Sequence, residues 1–364
     1  MRFAHEHAPK APPRSFWILA GIFLLLLAVP VAIFNLAVDP FDFRLAPHLS
    51  LIREKIVRKD DTVLWSAGEL RRIPQRALND VTIVFCGDSR TELLTGGRFF
   101  PRILKVGNDR ILSLSVGGAS FDENIKILRA ELPKLPHLRA VVLGAPLERI
   151  GIVESDRVDN AFRVANSPLY YVLGLGTVTY SVSLLREQEA AAGDGDTIRD
   201  RPDVDPDKLV DVSAEWLDTP ANVVEANSRP DKPLAKRDVK VANQWKKKLA
   251  QADLNLIKQR LETVIAPLAE DLAKQNAKLV FYFPPLHPKV IEGFKPKVRE
   301  MQKTYLSLLA KYGTVEDFSL KQPAGIVPKF SDASHVIDPV AQVILADIYQ
   351  RDLASPPAGH PVAR

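Results

Sequence analysis

Cysteine is almost absent from the 364-residue chain: the only one, Cys86, cannot form an intramolecular disulfide. It sits in the apolar run VTIVFC, where a small buried hydrophobe fits better than a reactive thiol. An excess of one charge is also missing. The 49 basic and 44 acidic residues leave a net +5, far from the dense cationic surface of a nucleic-acid binder, so nucleic acid is set aside as a partner. His5, His7, His48, His137 and His360 lie in tails or loops without metal-ligand spacing, and neither a metal nor another cofactor is expected. No internal repeat is evident in the chain.

Charge disappears altogether from Ser15 to Val38, in SFWILAGIFLLLLAVPVAIFNLAV. A helix needs about 20 apolar residues to cross a bilayer, and this run is long enough. Cleavable signal peptides carry shorter apolar regions, of about 7 to 15 residues, followed by a small-x-small site that is not evident here. Pro30 within the run can kink a span without forbidding it. Arg2, Lys10 and Arg14 precede the run while Asp39 and Asp42 follow it, so the positive-inside rule leaves the N-terminus in the cytoplasm and the bulk of the chain outside. The expected order is a cytoplasmic tail (1–14), a signal-anchor (15–38), a membrane-proximal connector (39–80), one large domain (81–350) and a disordered tail (351–364).

Within 81–350 four short apolar runs of strand length, VTIVFC, NDRILSLSV, LRAVVLGA and AKLVFYFPP, are bounded by turn residues. Continuous apolar strands of this kind belong to buried parallel sheets. Helical stretches separate them: Arg90 to Phe100, Phe121 to Leu132, and a long one. In the last, Leu254, Ile257, Leu261, Val264, Ile265, Leu268 and Leu272 recur at steps of three and four and form one apolar stripe. Strands alternating with helices imply right-handed crossovers and a three-layer α/β/α sandwich with a mainly parallel central sheet. Residues 187–240 break the rhythm, being rich in Asp, Pro and Lys. They read as a surface insertion with one ordered patch around Trp216, for which a lid over a site and a solvated excursion are both open.

The first run ends at Gly87, Asp88 and Ser89, so a serine stands at a strand tip, where open α/β sheets bind ligands. Its amide falls among the unpaired N–H groups that open a helix, which favour a negative oxygen. Asp88 is too close in sequence to activate Ser89, and a helix-capping role suits it better. A base has to come from elsewhere. Asp332 and His335, three apart in FSDASH, have the spacing by which a carboxylate holds one imidazole nitrogen while the other faces outward. Free imidazole titrates near pH 6.5 and can take a proton from serine at neutral pH.

GDS at 87–89 followed by D-x-x-H at 332–335 resembles the SGNH hydrolase superfamily, the GDSL esterase/lipase-like group, over roughly residues 81–350. The resemblance implies a flavodoxin-like three-layer sandwich, with Ser89 as nucleophile, His335 as base and Asp332 as its partner. It also implies an oxyanion hole from the amides of Ser89 and of Gly117 or Gly118 in SVGGASF. The third strand departs from the family pattern: LGAPLERI holds Gly144 but no asparagine to donate the third oxyanion contact. Losing such a donor costs about 2.7 to 4 kcal/mol of transition-state stabilisation, and Arg90 or Arg149 are the substitutes at hand. His287, after the fourth strand, is either a substrate contact or a structural loop residue.

The anchor, NLAVDPFDF after it, GDSR and FSDASH are similar to membrane-anchored extracytoplasmic SGNH-like proteins that assist acyl transfer to envelope polymers. Examples are the alginate O-acetylation proteins and the helper that moves D-alanine onto lipoteichoic acid. That likeness implies a bacterial inner-membrane protein with its main domain in the periplasm. It would be an O-acyltransferase or esterase acting on acyl esters of an envelope or exported polysaccharide. The alternative is an SGNH-fold assembly component without chemistry that docks on a membrane-bound O-acyltransferase.

Overall fold

In the computed structural model the run VTIVFC is strand β1 (Val81–Cys86), hydrogen-bonded on both sides and fully enclosed except at Thr82. The structure describes residues 13–40, 75–95, 103–106, 109–150, 157–193, 210–212, 253–292, 296–319 and 328–354, with isolated positions between them. In chain order the other strands are β2 (Ile103–Val106), β3 (Asp109–Ser113), β4 (Ala140–Gly144), β5 (Val210–Val212), β6 (Lys278–Phe283) and β7 (Thr314–Asp317). The helices are α1 (Arg14–Val38), α2 (Gln75–Asn79), α3 (Ser89–Glu92), α4 (Phe121–Glu131), α5 (Leu147–Ile150), α6 (Arg157–Asn166), α7 (Pro168–Leu173) and α8 (Leu175–Gly193). Next comes α9, from Leu254–Arg260 through the π turn Leu261–Ile265 into Ala266–Lys274, then α10 (Pro288–Glu292), α11 (Pro296–Leu309) and α12 (Asp338–Ile348).

Two units divide the chain: Met1–Gly68 with Asn160–Pro202, and Glu69–Asp159 with Asp203–Arg364. Residues Asn160–Pro202, within the span 81–350, fall in the same unit as α1. The reason is a set of polar contacts in an apolar setting. Asn35 Nδ2 donates to the carbonyls of Val172 (2.9 Å) and Gly174 (3.4 Å), its Oδ1 accepts from Ser181 Oγ (3.3 Å), and Tyr171 Oη donates to Asp39 Oδ1 (2.6 Å). Helix α1 is long and apolar enough to cross a membrane, and its N-terminal two-thirds is almost wholly exposed. It stops at Asp39, whose φ of 42° is left-handed and whose N–H returns to Asn35 O.

The second unit holds a seven-stranded sheet in the order β5-β2-β3-β1-β4-β6-β7. The five strands β3-β1-β4-β6-β7 are parallel, β2 is antiparallel to β3, and β5 is parallel to β2. The four expected strands are all present; β2, β5 and β7 are additional. These three are shorter or more polar, ILKV, VDV and TVED, so they carry little of the continuous apolar signal that marks a central strand. β5 falls inside the expected insertion at 187–240, whereas the patch around Trp216 lies outside the described residues.

Side chains of alternate parity on the parallel strands bury in opposite directions. Ile83, Phe85, Ile111, Val142, Val280 and Tyr282 pack with Val340, Ala341, Ile344 and Leu345 of α12. From the other parity, Cys86 Sγ approaches the Asn124 carbonyl of α4 at 3.3 Å, and the Phe283 and Tyr305 rings meet edge to face at 5.6 Å.

Local chemistry sets the helix ends. Ser120 and Glu123 form a reciprocal capping box at the start of α4. The expected stripe on α9 buries Ile257, Leu261, Ile265, Leu268 and Leu272, while Leu254 and Val264 are half-buried. The π turn just before Pro267 follows from proline's missing N–H and its steric demand on the preceding turn. The helix expected from Arg90 to Phe100 is instead α3 plus a 3₁₀ turn, Leu93–Thr95; residues beyond Thr95 there lie outside the described residues. At the other end, a π turn, Tyr349–Leu353, carries the chain to Leu353, which is buried.

Candidate active site

After β1 the chain runs to β2 and β3 on one side and later crosses to β4 on the other, so the carboxyl end of β1 is a topological switch point of the sheet. Gly87, Asp88 and Ser89 occupy it. Asp88 caps α3, its Oδ1 accepting from Arg90 N at 3.0 Å and its carbonyl from the amides of Thr91 and Glu92. Ser89 is the first residue of the helix and half-buried.

Two glycines let α3 come this close. A Cβ on Gly87 would lie 2.6 Å from Thr91 Cβ, and a Cβ on either Gly87 or Gly144 would collide with Thr91 Oγ1. Thr91 is thus wedged between the ends of β1 and β4, where its hydroxyl finds no hydrogen-bond partner among the described residues. The glycine of the third strand therefore has a packing role that its sequence context did not reveal.

The D-x-x-H loop is pinned as a tight excursion before α12. Phe330 and Val336 form an antiparallel bridge, Ser331 N donates to His335 O (2.8 Å), and Ile337 N donates to Lys329 O (3.0 Å). Inside it Asp332 Oδ1 accepts from the amides of Ser334 (2.7 Å) and His335 (2.9 Å), leaving Oδ2 for His335 Nδ1 at 2.7 Å. On the far side of the ring, His335 Nε2 lies 2.7 Å from Ser89 Oγ. Burial would raise the Asp332 carboxyl, but the bond and charge of His335 and the two amides hold it well below the usual carboxylate range. With that carboxylate ionised, Nδ1 carries the proton and Nε2 is the acceptor for the serine hydroxyl. Ser334 Oγ, 3.2 Å from both Asp332 Oδ1 and His335 Nδ1, is a further support. The sequence shows it only as the neighbour of the histidine.

Compared with protein-family models, curated proteins and solved structures, the chain matches none.

The remaining expected residues fall into distinct places. Leu114 N and Val116 N extend the β3 pairing onto Phe85 O and Gly87 O, which puts the Gly117–Gly118 turn on the same rim as Ser89. Gly118 has φ of 72°, and Ala119 N closes the turn on Val116 O, so glycine is required there by the backbone itself. Arg149 Nη1 donates to Gly118 O at 3.4 Å, which brings this guanidinium to that turn.

Arg90 goes elsewhere: only 3% exposed, it bonds both oxygens of Asp88 through Nε and Nη2, and Glu148 Oε1 through Nη1 at 2.5 Å. Burial opposes its charge, yet the two carboxylates keep it firmly protonated. Asp88 is likewise held well below the usual carboxylate range: burial would raise it, but Arg90 and the nearby Arg149, 3.3 Å away, outweigh that effect. Glu148, the partner that neutralises this buried cluster, was not singled out in the sequence because nothing local distinguishes it from a surface helix glutamate. His287 accepts from Lys289 N at 3.2 Å at the start of α10 and packs on Phe330 at 5.2 Å between centroids, contacts that suit a structural loop residue.

Proposed function

We propose that the protein is a membrane-anchored, extracytoplasmic serine esterase or O-acyltransferase of the SGNH type, acting on acyl esters of an envelope or exported polysaccharide. The observation that carries the reading is the relay of two 2.7 Å contacts, Ser89 Oγ to His335 Nε2 and His335 Nδ1 to Asp332 Oδ2, at the switch point of a parallel sheet. Those distances lie within the range of about 2.6–3.2 Å that nucleophile–base pairs need. His335 takes the Ser89 proton as Oγ attacks the ester carbonyl, and Asp332 stabilises the imidazolium. The proton then passes to the departing alkoxide, leaving an acyl-serine. A sugar hydroxyl or water, deprotonated by His335, attacks the acyl-serine and releases Ser89. The amides of Ser89 and of Gly117 or Gly118 would hold the oxyanion, with the Arg149 guanidinium, which donates to Gly118 O, beside that turn.

The wider assignments follow the same reading. The burial of both strand parities supports a three-layer α/β/α sandwich. Arg2, Lys10 and Arg14 ahead of the apolar helix support a cytoplasmic N-terminus and a periplasmic main domain in a bacterial inner membrane. A second reading, a non-catalytic partner of a membrane-bound acyltransferase, is favoured by one observation: the missing third-strand asparagine has no substitute in Arg90, whose guanidinium is committed to Asp88 and Glu148.

The purified full-length chain should hydrolyse an activated acetyl ester and be labelled at Ser89 by a fluorophosphonate. Ser89→Ala and His335→Ala should abolish both. Absence of labelling in the wild type, together with retention of a co-purifying acyltransferase by Ser89→Ala, would replace the first reading with the second.

A further inference from the structure

A second stretch of the chain is free of charge: no Asp, Glu, Lys, Arg or His occurs between Val164 and Leu185. It does not make a spanning helix, because it is broken into α7 and α8 at Gly174, an extended residue with φ −70° and ψ 125°. Both helices pack on the C-terminal part of α1, through the Asn35 and Tyr171 contacts described above. A soluble surface helix would turn polar side chains outward here. Instead Leu169 is 68% exposed and Leu175 78%, with Tyr170 and Leu173 exposed beside them.

The depth of this patch follows from α1. The charge-free part of that helix starts at Ser15, and about 20 residues cover the hydrocarbon thickness of about 30 Å, so the far hydrocarbon boundary falls near Asn35. Asn35 is the residue that bonds Val172 O and Gly174 O. Carbonyls freed by a helix break are tolerated at membrane depth only where the protein supplies partners. Asn35 does so for the Val172 carbonyl at 2.9 Å and adds a second, longer donor to Gly174 O, which also accepts from Val178 N of α8 at 3.2 Å; its Oδ1 accepts from Ser181 Oγ of α8. Exposed arginines, Arg163 and Arg186, flank the charge-free stretch as they would at headgroup level, and tyrosines within it suit the interface.

We propose that residues 164–185 are a second membrane contact: a broken, non-spanning helix pair whose Leu169, Tyr170, Leu173 and Leu175 side chains insert into the lipid leaflet at the C-terminal end of α1. The assignment rests on the reading of α1 as a membrane span and goes beyond it, since an anchor alone would leave the rest of the chain on a free tether. Two contacts fix the unit against the bilayer.

The test is depth measurement on the full-length chain in vesicles of phosphatidylethanolamine and phosphatidylglycerol. Cys86 is buried, so single cysteines placed at exposed positions take a nitroxide label selectively. Labels are placed by Leu169→Cys, Leu175→Cys, Leu25→Cys in mid-α1 and Lys274→Cys as the aqueous reference. The ratio of oxygen to water-soluble nickel accessibility is expected to be several-fold higher at 169 and 175 than at 274, and highest at 25. Aqueous values at 169 and 175 with a membrane value at 25 would overturn the second contact while leaving the anchor. An aqueous value at 25 would overturn the anchor and this proposal with it. Labels at 169 and 175 that are shielded only when a membrane protein partner is co-reconstituted would assign the patch to that protein and likewise overturn lipid insertion.

Discussion

Substituting alanine for Gly144 should destabilise the protein, and Thr91→Ala should relieve most of the loss. The backbone at Gly144 is not left-handed, so alanine there would ordinarily gain about 0.4–1 kcal/mol by restricting the unfolded chain. Its Cβ, however, would collide with Thr91 Oγ1, and overpacking of this kind costs about 1–3 kcal/mol. Removing the Thr91 hydroxyl and methyl leaves the new Cβ 3.5 Å from Thr91 Cβ, an ordinary contact, and 3.3 Å from Gly87 Cα, a tight backbone contact that retains the smaller part of the loss. Thr91→Ala alone should be nearly neutral. It loses a methyl group worth about 0.8 kcal/mol, but it also removes a buried hydroxyl that has no partner among the described residues. The coupling between the two changes should therefore reach about 1 kcal/mol.

Gly87 is the control, because alanine there meets Thr91 Cβ itself at 2.6 Å and Thr91→Ala does not remove that atom. Gly87→Ala should remain costly in both backgrounds and, being two residues before Ser89, should also lower ester turnover. Urea unfolding midpoints of the full-length chain in non-ionic micelles, at constant m, report the energies. The wedge is wrong if Gly144→Ala is tolerated in the wild type, or if Thr91→Ala rescues Gly87→Ala as fully as Gly144→Ala.

Asp332→Asn keeps the loop bonds through Oδ1 but fixes the wrong imidazole tautomer, so the turnover of an activated ester should fall on the order of 10⁴-fold with the fold intact, as stopped-flow rates and circular dichroism would report. Asp88→Asn leaves Arg90 buried with one carboxylate in place of two and should cost about 3–5 kcal/mol at neutral pH in the same urea assay. The Asp88 carboxyl is depressed in the folded state, so its contribution is full above the unfolded carboxyl value of about 3.9 and is lost as pH falls toward the folded value. The wild type should therefore lose thermal stability on acidification below that point more steeply than Asp88→Asn. Cys86, buried and pushed up by desolvation, should ignore a water-soluble thiol reagent until the protein is unfolded, a colour reaction followed with and without denaturant.

Much of the candidate site was legible because its parts are local. VTIVFC followed by GDS announces a strand tip, and FSDASH encodes its own turn, in which one aspartate oxygen takes two nearby amides and the other is left for the imidazole. Asp88 as a helix cap was equally local. For Arg90 the sequence offered its place beside Ser89 as a substrate contact, and what it could not show is the ion pair with Glu148, far along the chain. The pairing of β7 and β5 with their neighbours, and the grouping of residues Asn160–Pro202 with α1, depend on partners far away in the chain that short patterns do not carry.

By itself the sequence determined the apolar helix, the four main strands and the internal geometry of the two motifs, because each depends on residues within a few positions of one another. Only the tertiary structure decided that Ser89 and His335, 246 positions apart, meet at 2.7 Å, that Thr91 needs both glycines, and that Asn35 holds the break at Gly174. Those are contacts of steric fit and hydrogen-bond satisfaction between distant segments, and they exist only once the strand order has brought the segments together.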